Sequence, residues 1–188
     1  MHRVFSKCSH WFITCVLFSA LLAGAAYAPA QTPDPLSAEV KWMYGTIKNN
    51  LLKLAEKMPA ENYSFRPTPE VETFGRRIAH IADANMNVCS GLNGERKLLG
   101  AASKTSKTEL VAALKESFAY CDGVFDSLTD ATAREMVSSR LGGPFPPEPT
   151  RSRLATLYNL VRHSNEMYGY MAVYLRLKGI VPPTSAPE

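Results

Sequence analysis

Apolar residues return every three or four positions over four stretches of the chain, the spacing of helices that each bury one face. The first stripe runs through Leu36, Val40, Met43, Ile47, Leu51, Leu54 and Met58. Asp34-Pro35 starts it, an acid suited to capping ahead of a proline at the first helical position, and Pro59 ends it. A second helix is predicted over about Thr73 to Ser90, with Phe74, Ile78, Ile81, Val88 and Leu92 on or near its inner face and Gly91 and Gly94 at its end. The third begins at Ser106-Lys107-Thr108-Glu109, a capping box, and carries Leu110, Leu114, Phe118, Cys121, Phe125 and Leu128. The fourth spans about Arg151 to Lys178, with Leu154, Leu157, Val161, Tyr168, Met171 and Leu175 inward, until Gly179 and Pro182-Pro183 stop it.

Between these stripes the punctuation is proline. Pro59, Pro67 and Pro69 predict an extended connection before the second helix. A short helical turn is expected around Ala131 to Val137, followed by "LGGPFPPEPT", a stiff loop that closes one end of the fold with Phe145 as its packing anchor. No segment alternates with period two long enough to predict a strand, and no repeat is visible. The expected architecture is all-α, a bundle of four main helices. Its connections are long, so a simple up-and-down order is not required.

With 188 residues, 46% hydrophobic and 20% charged, the chain suits one globular core. The first thirty residues stand apart from it. They have a basic start (Arg3, Lys7), an apolar middle from Trp11 to Ala23 and small residues after it, the build of a secretory signal. Cleavage after Ala30 makes Gln31 the mature start and 31–188 the domain. An uncleaved membrane anchor is the alternative, against which the apolar stretch is short for a span. The expected location is periplasmic or secreted, with no membrane association after removal of the signal.

Removing Arg3 and Lys7 leaves 19 basic against 17 acidic residues, a balance of +2, too mild and dispersed to suggest a nucleic-acid partner. His80 and His163 are then the only histidines, and Cys89 and Cys121 the only cysteines. In an oxidising compartment that cysteine pair reads as a disulfide between the second and third helices. Two buried free thiols are the alternative.

Two segments carry a resemblance. "FRPTPEVETFGRRIAHIADAN" in the second helix and "HSNEMYGYMAVYLRLKGIVPPTS" in the fourth resemble the DinB-like superfamily, especially its exported bacterial members, over Leu36 to Ser185. The resemblance implies a four-helix bundle with a crossed connection, often a homodimer, in which three histidines bind a divalent metal at one end of a small-molecule pocket. One of these comes from the second helix and two, four residues apart, from the fourth. Activities in the wider superfamily are thiol-dependent S-transfer and isomerisation.

The motif carries over to His80 and His163 and then meets Met167 where the third histidine belongs. Residues four apart on a helix share a face, so this substitution changes the donor set itself. A thioether is a soft, weak donor that suits copper(I) better than zinc or nickel. Glu166 is a neighbouring oxygen donor, one residue round the helix. The metal set read from the sequence is therefore His80, His163 and Met167, holding either no metal or a weakly bound zinc or nickel ion, with copper(I) less favoured. Asn85, Asn87, Tyr170 and Tyr174 are positioned for the same cleft, and Arg76 and Arg77 either attract an anion or form a solvated face. The expected function is a ligand-binding bundle with a degenerate metal pocket. A metal-dependent thiol transferase using His80 and His163 is the alternative.

Overall fold

A computed structural model describes residues 34–138 and 150–185. The signal-like segment and the Phe145 loop lie outside these residues. Four long helices make the body: α1 (Pro35–Lys57), α2 (Phe74–Leu92), α3 (Lys107–Asp126) and α5 (Arg153–Leu177), with a short α4 (Asp130–Ala133) between the last two. The all-α bundle expected from the stripes is the fold observed.

The packing order differs from the chain order. α1 lies against α3 and α5, and α2 lies against the same two, so α1 and α2 stand at opposite corners. The long connections after α1 and α3 are what allow this arrangement. Leu51, Leu54, Phe74, Ile78, Leu114, Phe118, Leu157 and Met171 fill the space between the helices and are fully buried.

The connection before α2 is pinned rather than loose. Tyr63 donates its hydroxyl to the Ala55 carbonyl at 2.7 Å, and its own carbonyl accepts the Gly75 N–H at 2.8 Å. A Cβ on Gly75 would stand 3.1 Å from both that carbonyl and Leu110, so the close approach of connection and helix needs a glycine there. α2 and α3 are further joined by the Cys89–Cys121 disulfide, whose Cα atoms are 5.3 Å apart. The disulfide expected from the isolated cysteine pair is thus the arrangement found.

Two local expectations are corrected. Asp34 does not cap α1 with its own side chain; it has φ 60, and Asp130 supplies the cap by accepting the Leu36 and Ser37 N–H groups at 3.3 and 2.8 Å. The short helix ends at Ala133, and Met136–Ser138 (β1) pairs antiparallel with Thr150–Ser152 (β2) in the register Val137 to Arg151. Three residues per strand are too few for alternation to declare itself in a sequence. The same pairing delays the last helix, which starts at Arg153 with Ser152 accepting the Ala155 N–H at 3.1 Å.

Candidate functional site

Helix caps set the phase of the two helices that carry the histidines. The Thr73 hydroxyl accepts the Arg76 N–H at 3.2 Å and starts α2, while Ser152 starts α5. The helices meet antiparallel along one seam. His80 faces His163, Arg77 faces Met167, and Phe74 lies 6.4 Å from Tyr174 between ring centroids, numbers rising on one helix as they fall on the other. Helical spacing on each side therefore becomes a ladder of cross-helix pairs.

The central rung brings His80 Nε2 to 2.9 Å from His163 Nε2, with the rings steeply inclined at 66°. One ring donates and the other accepts, so at least one of the facing nitrogens lacks a proton. His80 is exposed and His163 partly buried. Burial, and then the neighbouring His80, hold the His163 imidazole below its ordinary pKa; Arg162 acts in the same direction and Glu166 opposes it.

The two Nε2 atoms converge as ligands of a single ion would, but the residues around them do not complete a three-histidine site. Met167 is 6% exposed, and its sulfur lies 3.8 Å from Arg77 Nη1. A guanidinium against the third donor position opposes a dication by direct repulsion. The nearby carboxylates have other partners. Glu166 accepts from Tyr170 at 3.1 Å and from Arg162 at 3.4 Å, and Asp83 accepts the Ala101 and Ala102 N–H groups at 2.9 and 3.0 Å. Among the described residues no group of three or more His, Cys, Asp or Glu side chains is arranged to hold a metal ion. Two imidazoles are the donors this seam offers to a zinc or nickel ion.

His80 and His163 also form one wall of a cavity of about 670 Å³, within the ordinary range of small-molecule sites. α2 contributes Asp83, Ala84, Asn87 and Val88, and α5 contributes Asn159, Leu160 and Arg162. The remaining side is the loop Lys97–Gly100. Asp83 holds that loop at its far end through the two N–H groups just described, and Ser90 holds the near end, its carbonyl accepting Glu95 N–H and its hydroxyl accepting Lys97 N–H at 3.1 Å. Between these anchors Leu98 is 91% exposed at the cavity edge.

Of the further cleft residues read from the sequence, Asn87 lines the cavity. Asn85 is buried toward Ser117, and Tyr174 is buried with its hydroxyl on the Glu72 carbonyl at 2.7 Å. Tyr170 lies about two turns beyond His163 on α5, with the Arg77 guanidinium over its ring. Sequence reasoning missed Asp83 and the 97–100 loop. The visible signal was Leu98-Leu99, an apolar pair inside an otherwise polar connection.

The sequence model described as the DinB superfamily matches residues 44–171. Among solved structures, a DinB-like protein from Bacillus cereus is similar at 21% identity and a TM-score of 0.61, over 76% of this chain and 91% of that one. A conserved protein from Enterococcus faecalis is similar at 13% identity and a TM-score of 0.59, over 75% of this chain and 95% of that one. At these identities the likeness is one of fold. No curated protein sequence matches the chain.

Proposed function

The chain belongs to the DinB superfamily, and from that premise we propose that it is an exported ligand-binding member whose cavity takes a small organic molecule without a tightly held divalent metal. The observation that carries this reading is the cavity of about 670 Å³ with the His80–His163 pair in its wall. A concave, largely apolar space with a few convergent polar groups is the usual form of a small-molecule site. Ala84, Val88, Leu99 and Leu160 supply the apolar surface, while Asn87, Asn159 and the imidazoles supply polar contacts. Export is supported by the basic-then-apolar start of the sequence and by the Cys89–Cys121 disulfide, which suits an oxidising compartment.

A second reading, a metal-dependent thiol transferase, draws on the convergence of the two Nε2 atoms at 2.9 Å. It needs a third donor of matching chemistry, and Met167 lies against Arg77 instead.

Mass spectrometry of tag-free protein under native conditions, with metal analysis on the same sample, separates the two. The ligand-binding reading expects a co-purifying or added small molecule to be retained by the wild type and lost from Ala84→Phe, which fills the cavity, with metal far below one per chain. Stoichiometric zinc or nickel, lost in His80→Ala, would establish the second reading.

A further inference from the structure

Leu98 and Leu99 both border the cavity, but Leu99 packs against the core while Leu98 is 91% exposed. They belong to a strap between Gly94 and Gly100, whose positive φ values of 75 and 65 turn the chain at its two ends. The strap is tied down on either side of the leucines. Ser90 accepts the Glu95 and Lys97 N–H groups, and Asp83 accepts those of Ala101 and Ala102. The Glu95 carboxylate accepts the Tyr120 hydroxyl and the Lys97 ammonium, both at 2.9 Å. Lys97 is thereby drawn over the Tyr120 ring on α3, with Nζ 4.5 Å from its centre. Between Lys97 and Ala101 the restraint stops: among the described residues nothing accepts the N–H of Leu98, Leu99 or Gly100.

A single exposed leucine on a protein surface needs no explanation. Leu98 differs because it stands at the edge of a concave site whose apolar walls, Ala84, Val88 and Leu160, come from α2 and α5. Sites of this kind typically cover about 70–90% of a ligand's surface, and on the strap side the apolar surface still open to water belongs to Leu98. We infer that Leu98 closes this site: it folds onto the apolar body of the bound molecule, opposite the helix walls, and so selects ligands with an aliphatic or aromatic part that reaches the mouth. The movement breaks none of the strap's anchors, since these lie on either side of residues 98–100. It also removes a large apolar side chain from water, which favours the closed form only when an apolar ligand is there to meet it. The inference rests on the ligand-binding reading above and adds the closing residue and the kind of ligand it favours.

Titration calorimetry with octanol tests it, on the wild type and on Leu98→Ser, Leu98→Met and Ala84→Phe. Octanol is expected to bind the wild type about tenfold more tightly than Leu98→Ser, the effect of burying one leucine side chain against the ligand. Leu98→Met, apolar and of similar length, is expected to keep the wild-type affinity, and Ala84→Phe to abolish binding by filling the cavity. Melting temperatures of the two Leu98 variants should match the wild type, because a side chain this exposed supports no packing in the free protein. Equal octanol affinity in the wild type and Leu98→Ser, or an equal loss in Leu98→Met and Leu98→Ser, would overturn the role of Leu98 and leave the cavity reading standing. Octanol binding that survives Ala84→Phe, or no binding to the wild type, would overturn both.

Discussion

His80 and His163 share a hydrogen bond between their Nε2 atoms, 2.9 Å apart, which ties α2 to α5 through a contact that two protonated rings cannot make. The pair therefore makes the seam sensitive to acid. His163 has a depressed pKa, first from burial and then from His80, so between its folded value and the unfolded value of about 6.5 the unfolded chain binds more protons. Stability is expected to be highest above about pH 6.5 and to fall as pH drops through that window toward the folded value. Urea midpoints at neutral and mildly acidic pH read this directly. His163→Gln is expected to lose less on acidification than the wild type; an equal loss would place the acid sensitivity elsewhere.

Met167→His restores a second imidazole four residues from His163, on the face that His80 meets. Zinc affinity is expected to rise about tenfold or more over the wild type and to remain short of a tight site, because missing second-layer partners typically cost about 10–100-fold. Combining Met167→His with Arg77→Ala removes the adjacent positive charge and should raise affinity further. Calorimetry with His80→Ala as the control checks the geometry: zinc binding by Met167→His that survives loss of His80 would mean that the rings do not converge.

The Cys89–Cys121 bridge closes a separation of 32 residues between α2 and α3. Opening it by Cys89→Ala with Cys121→Ala is expected to cost about 2–4 kcal/mol of stability, the usual effect of such a crosslink. Denaturant melts of the oxidised wild type and the double variant measure the cost. Two alkylatable thiols in unreduced protein isolated under oxidising conditions would contradict the bridge.

Asp34 and Asp130 cap each other's helices. The Asp34 carboxylate accepts the Asp130 N–H at 2.8 Å while Asp130 accepts from Leu36 and Ser37. Partial desolvation pushes the Asp130 carboxyl up, but the Ser37 and Leu36 N–H groups outweigh it and leave its pKa below the usual value. Either Asp→Ala change is expected to lower the melting temperature, and the double change by less than the sum, since both act on one junction. Strict additivity in that cycle would show the two caps to be independent.

In the core, Leu157 is fully buried. Leu157→Ala is expected to cost about 2–5 kcal/mol, as for other enclosed leucines. A loss within the noise of the melt would show that α5 is not held by this packing.

The hydrophobic period by itself determined the four long helices and the all-α class, because burying one face of a helix leaves a mark every three or four residues. It also exposed the cysteine pair and placed His80 and His163 on two of those helices, and the prolines marked the connections. The sequence could not show that α1 and α2 sit at opposite corners, since that depends on which faces meet and not on where each face lies. Nor could it show that Asp34 and Asp130 exchange caps, that three-residue strands pair before α5, or that Asp83 holds the cavity loop. These contacts join residues distant along the chain, and each uses a residue type common in many other settings. Arg77 is the sharpest case: beside Arg76 it reads as half of a solvated pair, and only the packing of α2 on α5 turns it inward, onto Tyr170 and Met167. The physical reason is that a helix repeat fixes the angle between neighbouring side chains, whereas what each one meets is decided by the helix packed against it.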